Sequence, residues 1–300
     1  MLPAYTPPHA MALKTILDLG TPLIAVLMMV AVGLELEVRH FRELMRRKGM
    51  FIAVLAGQAI LLPLIGWMLT RLIALPPHLT AGLLLLAACP VGDIANFYVM
   101  VARANLALSV ALNTISCLLS VVTMTATFAI YHHGTGGSVA FGVPTLGIVS
   151  RLLLLVAAPI LAGMTLRHYY REFAAALSPK LKVACVAVII PLIALVVAVQ
   201  GKGLVAGWPA GVTAVLAMLA LAAAAGFGWS RLLRLSSAES ATVAIAFPVR
   251  NVVLAVTVAV TLLNRLEYAL FAVFYFVIEV PVLLLASAIL RRRGEGAQRS

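Results

Sequence analysis

The sequence predicts an all-α polytopic membrane protein of about nine transmembrane helices, and three observations predict it. Of its 300 residues 63% are hydrophobic and 11% charged, with a mean hydropathy of +1.10, whereas a soluble domain is roughly half apolar. Apolar stretches of about twenty residues recur along the chain, each long enough as a helix to cross a hydrocarbon layer roughly 30 Å thick. Runs such as LLPLIGWML, Leu61 to Leu69, and AVLAMLALAAAA, Ala214 to Ala225, lack the alternating polarity of barrel strands.

In chain order the spans are 15–36, 50–70, 79–102, 105–131, 142–165, 182–200, 207–230, 237–263 and 268–290. The opening MLPAYTPPHAMALKTILDLG has no basic region leading to a small-residue cleavage site, so the first span is expected to remain. Basic residues mark the connections. Sixteen of the 22 lie on one side: Arg39, Arg42, Arg46, Arg47 and Lys48 after the first span, Arg103 after the third, Arg167, Arg171, Lys180 and Lys182 after the fifth, Arg231 and Arg234 after the seventh, and Arg291, Arg292, Arg293 and Arg299 in the tail. Lys14, Arg71, Lys202 and Arg265 lie on the other, and Arg151 and Arg250 fall within spans. The positive-inside rule then puts the N-terminus outside and the tail 291–300 in the cytoplasm, as expected for a bacterial inner-membrane protein. Although the net charge is +12, no soluble module concentrates it, which argues against nucleic acid as a partner and leaves membrane lipid and a small solute. Oligomeric state is left open.

Several chemistries are excluded. Cys89, Cys117 and Cys185 fall inside spans with no C-x-x-C spacing and read as small buried residues. His132 and His133 form a pair in a short outer loop, too few ligands for a metal site, and no firm metal centre or cofactor is expected. An intramembrane protease would need a Ser–His pair, H-E-x-x-H or two aspartates at depth, and Asp93 is the single mid-span aspartate, so the chain does not read as an enzyme. Arg151 near an outer helix end reads as snorkelling to the interface, and Glu35 and Glu37 as solvated at an inner end.

Function is sought where polar residues occur at membrane depth. Two stretches stand out, AACPVGDIANFYV from Ala87 and AIAFPVRNVV from Ala244. Each carries a proline inside its span, Pro90 and Pro248, where the missing N–H and the ring clash break the helix. The freed carbonyls and N–H groups are tolerable in a bilayer only around a protein-enclosed cavity, the way discontinuous transporter helices build ion and substrate sites. The two share Pro-Val locally and, under the orientation above, run in opposite directions. That is consistent with one transporter domain over 1–300 made of inverted repeats, four helices in 1–131 and five in 138–290, with Gly137 near their junction. Such an occluded site argues for a carrier over a channel.

Several segments resemble the bile acid:sodium symporter family. GLEL, Gly33 to Leu36, is similar to a signature of its first helices; CPVGDIANFYVMVARANLALSV, from Cys89, to its Cys-Pro-Gly-Gly segment; and IAFPVRNVVLAV, from Ile245, stands in the place of its Glu-x-Gly-x-Gln-Asn motif. The resemblance covers most of the chain and implies a panel domain and a core domain, with the broken helices crossing in the core. It also implies two cation sites. One would use the positions held here by Ala95, Asn96, Ser109, Asn113 and Ala246, the other those of Gln58, Ala246 and Arg250, with Asn251 kept. The acidic ligand of both sites is thus an alanine, and a guanidinium occupies the second.

Sodium takes oxygen donors and arginine offers none, so two-sodium coupling is not expected. Arg250 is expected to stand in for a cation, paired with Asp93, with Glu279 beside Pro281, or with an anionic substrate, since an unpaired charge at this depth is costly. Alternatively an Arg250–Asp93 pair is a structural pin, and Asn96, Ser109 and Asn113 only join helices. The expected function is alternating-access transport of a small organic anion. Coupling stays open between residual sodium at Asn96, Ser109 and Asn113, a proton at Asp93 or Glu279, and none, in import or efflux. A transporter-like ligand sensor is the remaining reading.

Overall fold

The computed structural model describes residues 8–35, 47–134 and 145–297. Gly137, Glu37 and the end of the tail lie outside the described residues. The elements are helical in order: α1 (Pro8–Glu35), α2 (Lys48–Leu72), α3 (Pro77–Ala88), α4 (Ala95–Val101), α5 (Leu106–Gly134), α6 (Thr145–Leu152), α7 (Ala158–Tyr169), α8 (Arg171–Leu232), α9 (Ser237–Ala246), α10 (Val252–Thr257) and α11 (Ala269–Ala297). A π-helical turn joins α6 to α7 and another extends α10. No strand occurs among the described residues.

Among the described residues, five helical stretches are long and apolar enough to cross a membrane: Lys48–Leu72, Leu106–Gly134, Val149–Tyr169, Trp208–Leu232 and Leu266–Arg292. Pro77–Ala88 and Val252–Leu262 are shorter apolar helices, and Leu19–Glu35 is an apolar part of the longer α1. The nine expected spans therefore do not appear as nine separate helices. Two of them are split: the chain leaves helix between Ala88 and Ala95 and again between Ala246 and Val252, around Pro90 and Pro248. Two others, 182–200 and 207–230, are parts of the one helix α8.

That helix cannot be straight. Lys182 pairs with Asp93, whereas a Cβ on Gly226 would touch Phe247, and the two breaks that carry Asp93 and Phe247 touch each other. A straight helix would hold residues 182 and 226 roughly 66 Å apart at 1.5 Å per residue. α8 therefore turns back on itself between these contacts, where Pro191 and Pro209 interrupt its hydrogen-bond ladder.

Packing sorts the helices into two groups. α1 lies against α7 and the first limb of α8. The approach is close because glycines face each other: a Cβ on Gly33 would meet the Ile160 carbonyl at 2.2 Å, and one on Gly163 the Val30 carbonyl at 2.3 Å. The other group gathers α2, the split helices α3–α4 and α9–α10, α5, α11 and the second limb of α8. There the Trp229 indole donates to the Ala53 carbonyl at 2.9 Å and lies over Gly57. Its buried layer includes Tyr98, Phe128, Phe247, Phe271 and Tyr275.

Candidate functional site

The two breaks cross as antiparallel extended segments, bridged at Val91 and Arg250. Gly92 N–H donates to the Val249 carbonyl at 3.2 Å and Asn251 N–H to the Pro90 carbonyl at 3.0 Å. Only a residue without a side chain allows this crossing, because a Cβ on Gly92 would sit 2.6 Å from the Arg250 carbonyl oxygen. Other freed groups find side chains: Val91 N–H donates to Ser116 Oγ at 3.2 Å, and the Tyr275 hydroxyl to the Pro248 carbonyl at 2.5 Å. Asn251 caps α10 by accepting from Leu254 N–H at 2.9 Å. Buried backbone at membrane depth is thus satisfied almost group by group.

Arg250 completes that pairing. Its Nη1 donates to the Cys89 carbonyl at 3.0 Å, and its Nη2 to the Ala246 carbonyl at 2.9 Å. These oxygens end α3 and α9, where helix dipoles concentrate partial negative charge. With its amide oxygen turned toward the guanidinium, Gln58 of α2 accepts from Nη2 at 2.5 Å and Nη1 at 3.3 Å. The expected group of Gln58 and Arg250 beside Ala246 is therefore assembled, with a guanidinium held by three oxygens.

The expected Arg250–Asp93 pair is not formed. Asp93 instead holds Lys182, whose Nζ lies 2.9 Å from Oδ1 and 2.8 Å from Oδ2. Asn113 Nδ2 donates to Asp93 Oδ1 at 2.9 Å, Asn96 Nδ2 reaches it at 3.5 Å, and Ser109 donates to Asn96 Oδ1 at 2.7 Å. Asn96, Ser109 and Asn113 are thus brought together around Asp93. Lys182 also lies 2.6 Å from Glu35 Oε1. Glu35, expected solvated, is therefore an ion-pair partner, and Lys182, placed by the sequence in an inner loop, projects from the eleventh residue after the start of α8. Helix continuing through the polar stretch before residue 182 carries it inward.

Glu279 is fully buried, and neither of its carboxylate oxygens has a hydrogen-bond partner among the described residues. It does not form the expected ion pair with Arg250. The guanidinium is 2% exposed and borders a cavity of about 30 Å³, room for no more than a few water molecules. An organic anion does not fit there. The larger cavity, about 400 Å³, lies between α1, α5, α7 and the start of α8 and is lined by Leu34, Glu35, Val110, Arg167 and Ser178. Cys89, Cys117 and Cys185 are buried and free, and no cluster of three metal-ligating side chains occurs among the described residues.

The family model described as the Sodium Bile acid symporter family matches residues 22–207. The chain belongs to this family. It is 29% identical over 237 residues to the probable sodium/metabolite cotransporter BASS1, chloroplastic, of Arabidopsis thaliana, covering 77% of this chain and 56% of that protein. The uncharacterized sodium-dependent transporter YocS of Bacillus subtilis is 29% identical over 146 residues, 49% of this chain and 44% of its own. Sodium/bile acid cotransporter 4 of Homo sapiens is 28% identical over 229 residues, 75% of this chain and 52% of its own. The chain spans about half the length of these curated relatives. These relatives are named as sodium-dependent transporters or cotransporters.

Lys182 and Glu35 are the site residues that sequence reasoning missed. A usable signal was present: Ser178, Lys182 and Cys185 lie at i, i+4 and i+7 on one helical face. That face meets α1, with Ser178 Oγ 3.4 Å from the Ala31 carbonyl and Cys185 Sγ 4.0 Å from that of Ile24.

Proposed function

We propose that the chain carries a small organic anion across a bacterial inner membrane by alternating access, N-terminus outside, with no sodium ion at the second cation position. On this reading α1, α6–α7 and the first limb of α8 form the panel. The remaining helices form the core, and the halves are inverted repeats of four and five helices. The observation that carries it is the Arg250 guanidinium donating to the carbonyl ends of both broken helices. A cation is already present there by covalent attachment, so an added ion would meet like charge and an occupied oxygen set. The substrate's place is the cavity of about 400 Å³ between panel and core, where Arg167 contributes positive charge suited to a carboxylate, sulfonate or phosphate.

Uptake of a panel of radiolabelled carboxylates and sulfonates into proteoliposomes, with sodium replaced by choline, tests this. Saturable uptake of at least one anion is expected, either independent of sodium or rising with sodium as for a single ion. A sodium dependence steeper than that of one ion would overturn the ion-free second position, and no uptake of any anion the substrate class.

A further inference from the structure

We propose that Lys182 is a tethered counter-ion that fills the first cation position in this conformation and yields it, once per cycle, to a free monovalent cation at Asp93. The inference rests on the panel and core reading above. Two carboxylates hold the ammonium, Glu35 at 2.6 Å and Asp93 at 2.8 Å. They belong to different groups of helices. Lys182 and Glu35 sit on α8 and α1, which pack on each other, while Asp93 sits in the first break, bonded to Asn113 of α5.

The charge balance follows from that division. Sliding the core along the panel separates Asp93 from Lys182, because a contact of 2.8 Å does not survive a displacement of a helical turn. Lys182 remains neutralised by Glu35. Asp93, whose side chain is only 10% exposed, is left as a bare carboxylate among Asn96, Ser109 and Asn113, an expensive state at membrane depth. It needs one positive charge. Sodium would find the oxygens of Asp93, Asn96, Asn113 and Ser109; a proton needs Asp93 alone. Either competes with the Lys182 ammonium for the same carboxylate, so cation and panel contact are mutually exclusive and the core carries one cation in the direction it moves without the panel lysine. Among the described residues the charges facing Asp93 are those of Lys182 and Glu35, the buried thiols of Cys117 and Cys185 lie near it, and Arg250 in the crossing segment is committed to carbonyls and Gln58.

The test is thermal stability of the purified full chain, wild type against Lys182→Met, Lys182→Gln and Lys182→Met/Asp93→Asn. Sodium is titrated against choline at pH 8, and pH is varied from 8.5 to 5.5 in choline. The lysine variants are expected to be stabilised by sodium, or by acid if the cation is a proton, at concentrations at least tenfold lower than wild type requires. The response is absent when Asp93 is also replaced. A lysine variant recovered folded only in sodium or only at low pH gives the same answer. Equal cation responses with and without Asp93, or failure of Lys182→Gln to fold both in sodium and at pH 5.5, would overturn the proposal. Arg250 and Ala246 are untouched in every variant, so a negative result here leaves the second position unaffected, and a two-sodium dependence of wild-type uptake would sink that reading while leaving this one standing.

Discussion

The two breaks meet at one crossing but hold their charges differently. The second, between Ala246 and Val252, carries its own cation: Arg250 is 2% exposed and its donors go to backbone carbonyls and an amide. The first, between Ala88 and Ala95, carries a carboxylate and borrows its cation from Lys182, which projects from the first limb of α8, packed on α1, and is 18% exposed at its side chain. A charge bonded to the backbone of its own crossing moves with it. A charge shared across two groups of helices can be exchanged. The second break thus reads as a permanently charged pin and the first as the place where an ion can come and go.

Breaking the pin should have the largest effect. Arg250→Ala leaves the carbonyls of Cys89 and Ala246 and the Gln58 amide without their partner, and each buried acceptor so stranded costs about 1–3 kcal/mol. Loss of monodisperse protein, or a steep fall in melting temperature, is the expected readout. Gly92→Ala comes next, since its Cβ would lie 2.6 Å from backbone rather than from a yielding side chain. Forcing the crossing apart should cost about 1–3 kcal/mol and abolish uptake, which proteoliposome transport would register.

The smallest effect sharpens the contrast by missing both breaks. Ser236 caps α9 in a reciprocal box with Glu239, to which Arg47 also pairs. Ser236→Ala should lower stability by about 1 kcal/mol and leave cation responses unchanged in a thermal titration.

The sequence made some of this legible for identifiable reasons. Proline weakens a helix, and where polar residues follow it at depth, as after Pro90 and Pro248, the breaks were readable, whereas Pro63 and Pro281 stay inside continuous helices. A charge in hydrocarbon demands a partner, so Arg250 stood out, and the resemblance marked Gln58, Asn96, Ser109 and Asn113, which lie around Arg250 and Asp93. The identity of the partner was not. Backbone carbonyls freed by a helix break leave no mark in a sequence, so Asp93 looked like the natural counter-charge. Lys182 escaped because hydropathy falls before it in ALSPKLK, and a polar helical turn is indistinguishable there from a loop. The reversal within α8 was legible, since two antiparallel spans were expected there; that the chain stays helical through QGKGLVAG, residues 200–207, was not, because its three glycines are poor helix formers.

The central claim, that Arg250 is a built-in replacement for a coupling ion, is tested most directly by a sodium titration of thermal stability. Wild type is compared with Arg250→Gln/Ala246→Glu at constant ionic strength against choline, because a ligand that binds only the folded state stabilises it by RT ln(1 + c/Kd) at free concentration c. The account predicts that millimolar sodium stabilises the double variant and leaves wild type unmoved. Equal stabilisation of wild type would contradict it, and would mean that the guanidinium and a sodium ion share the crossing.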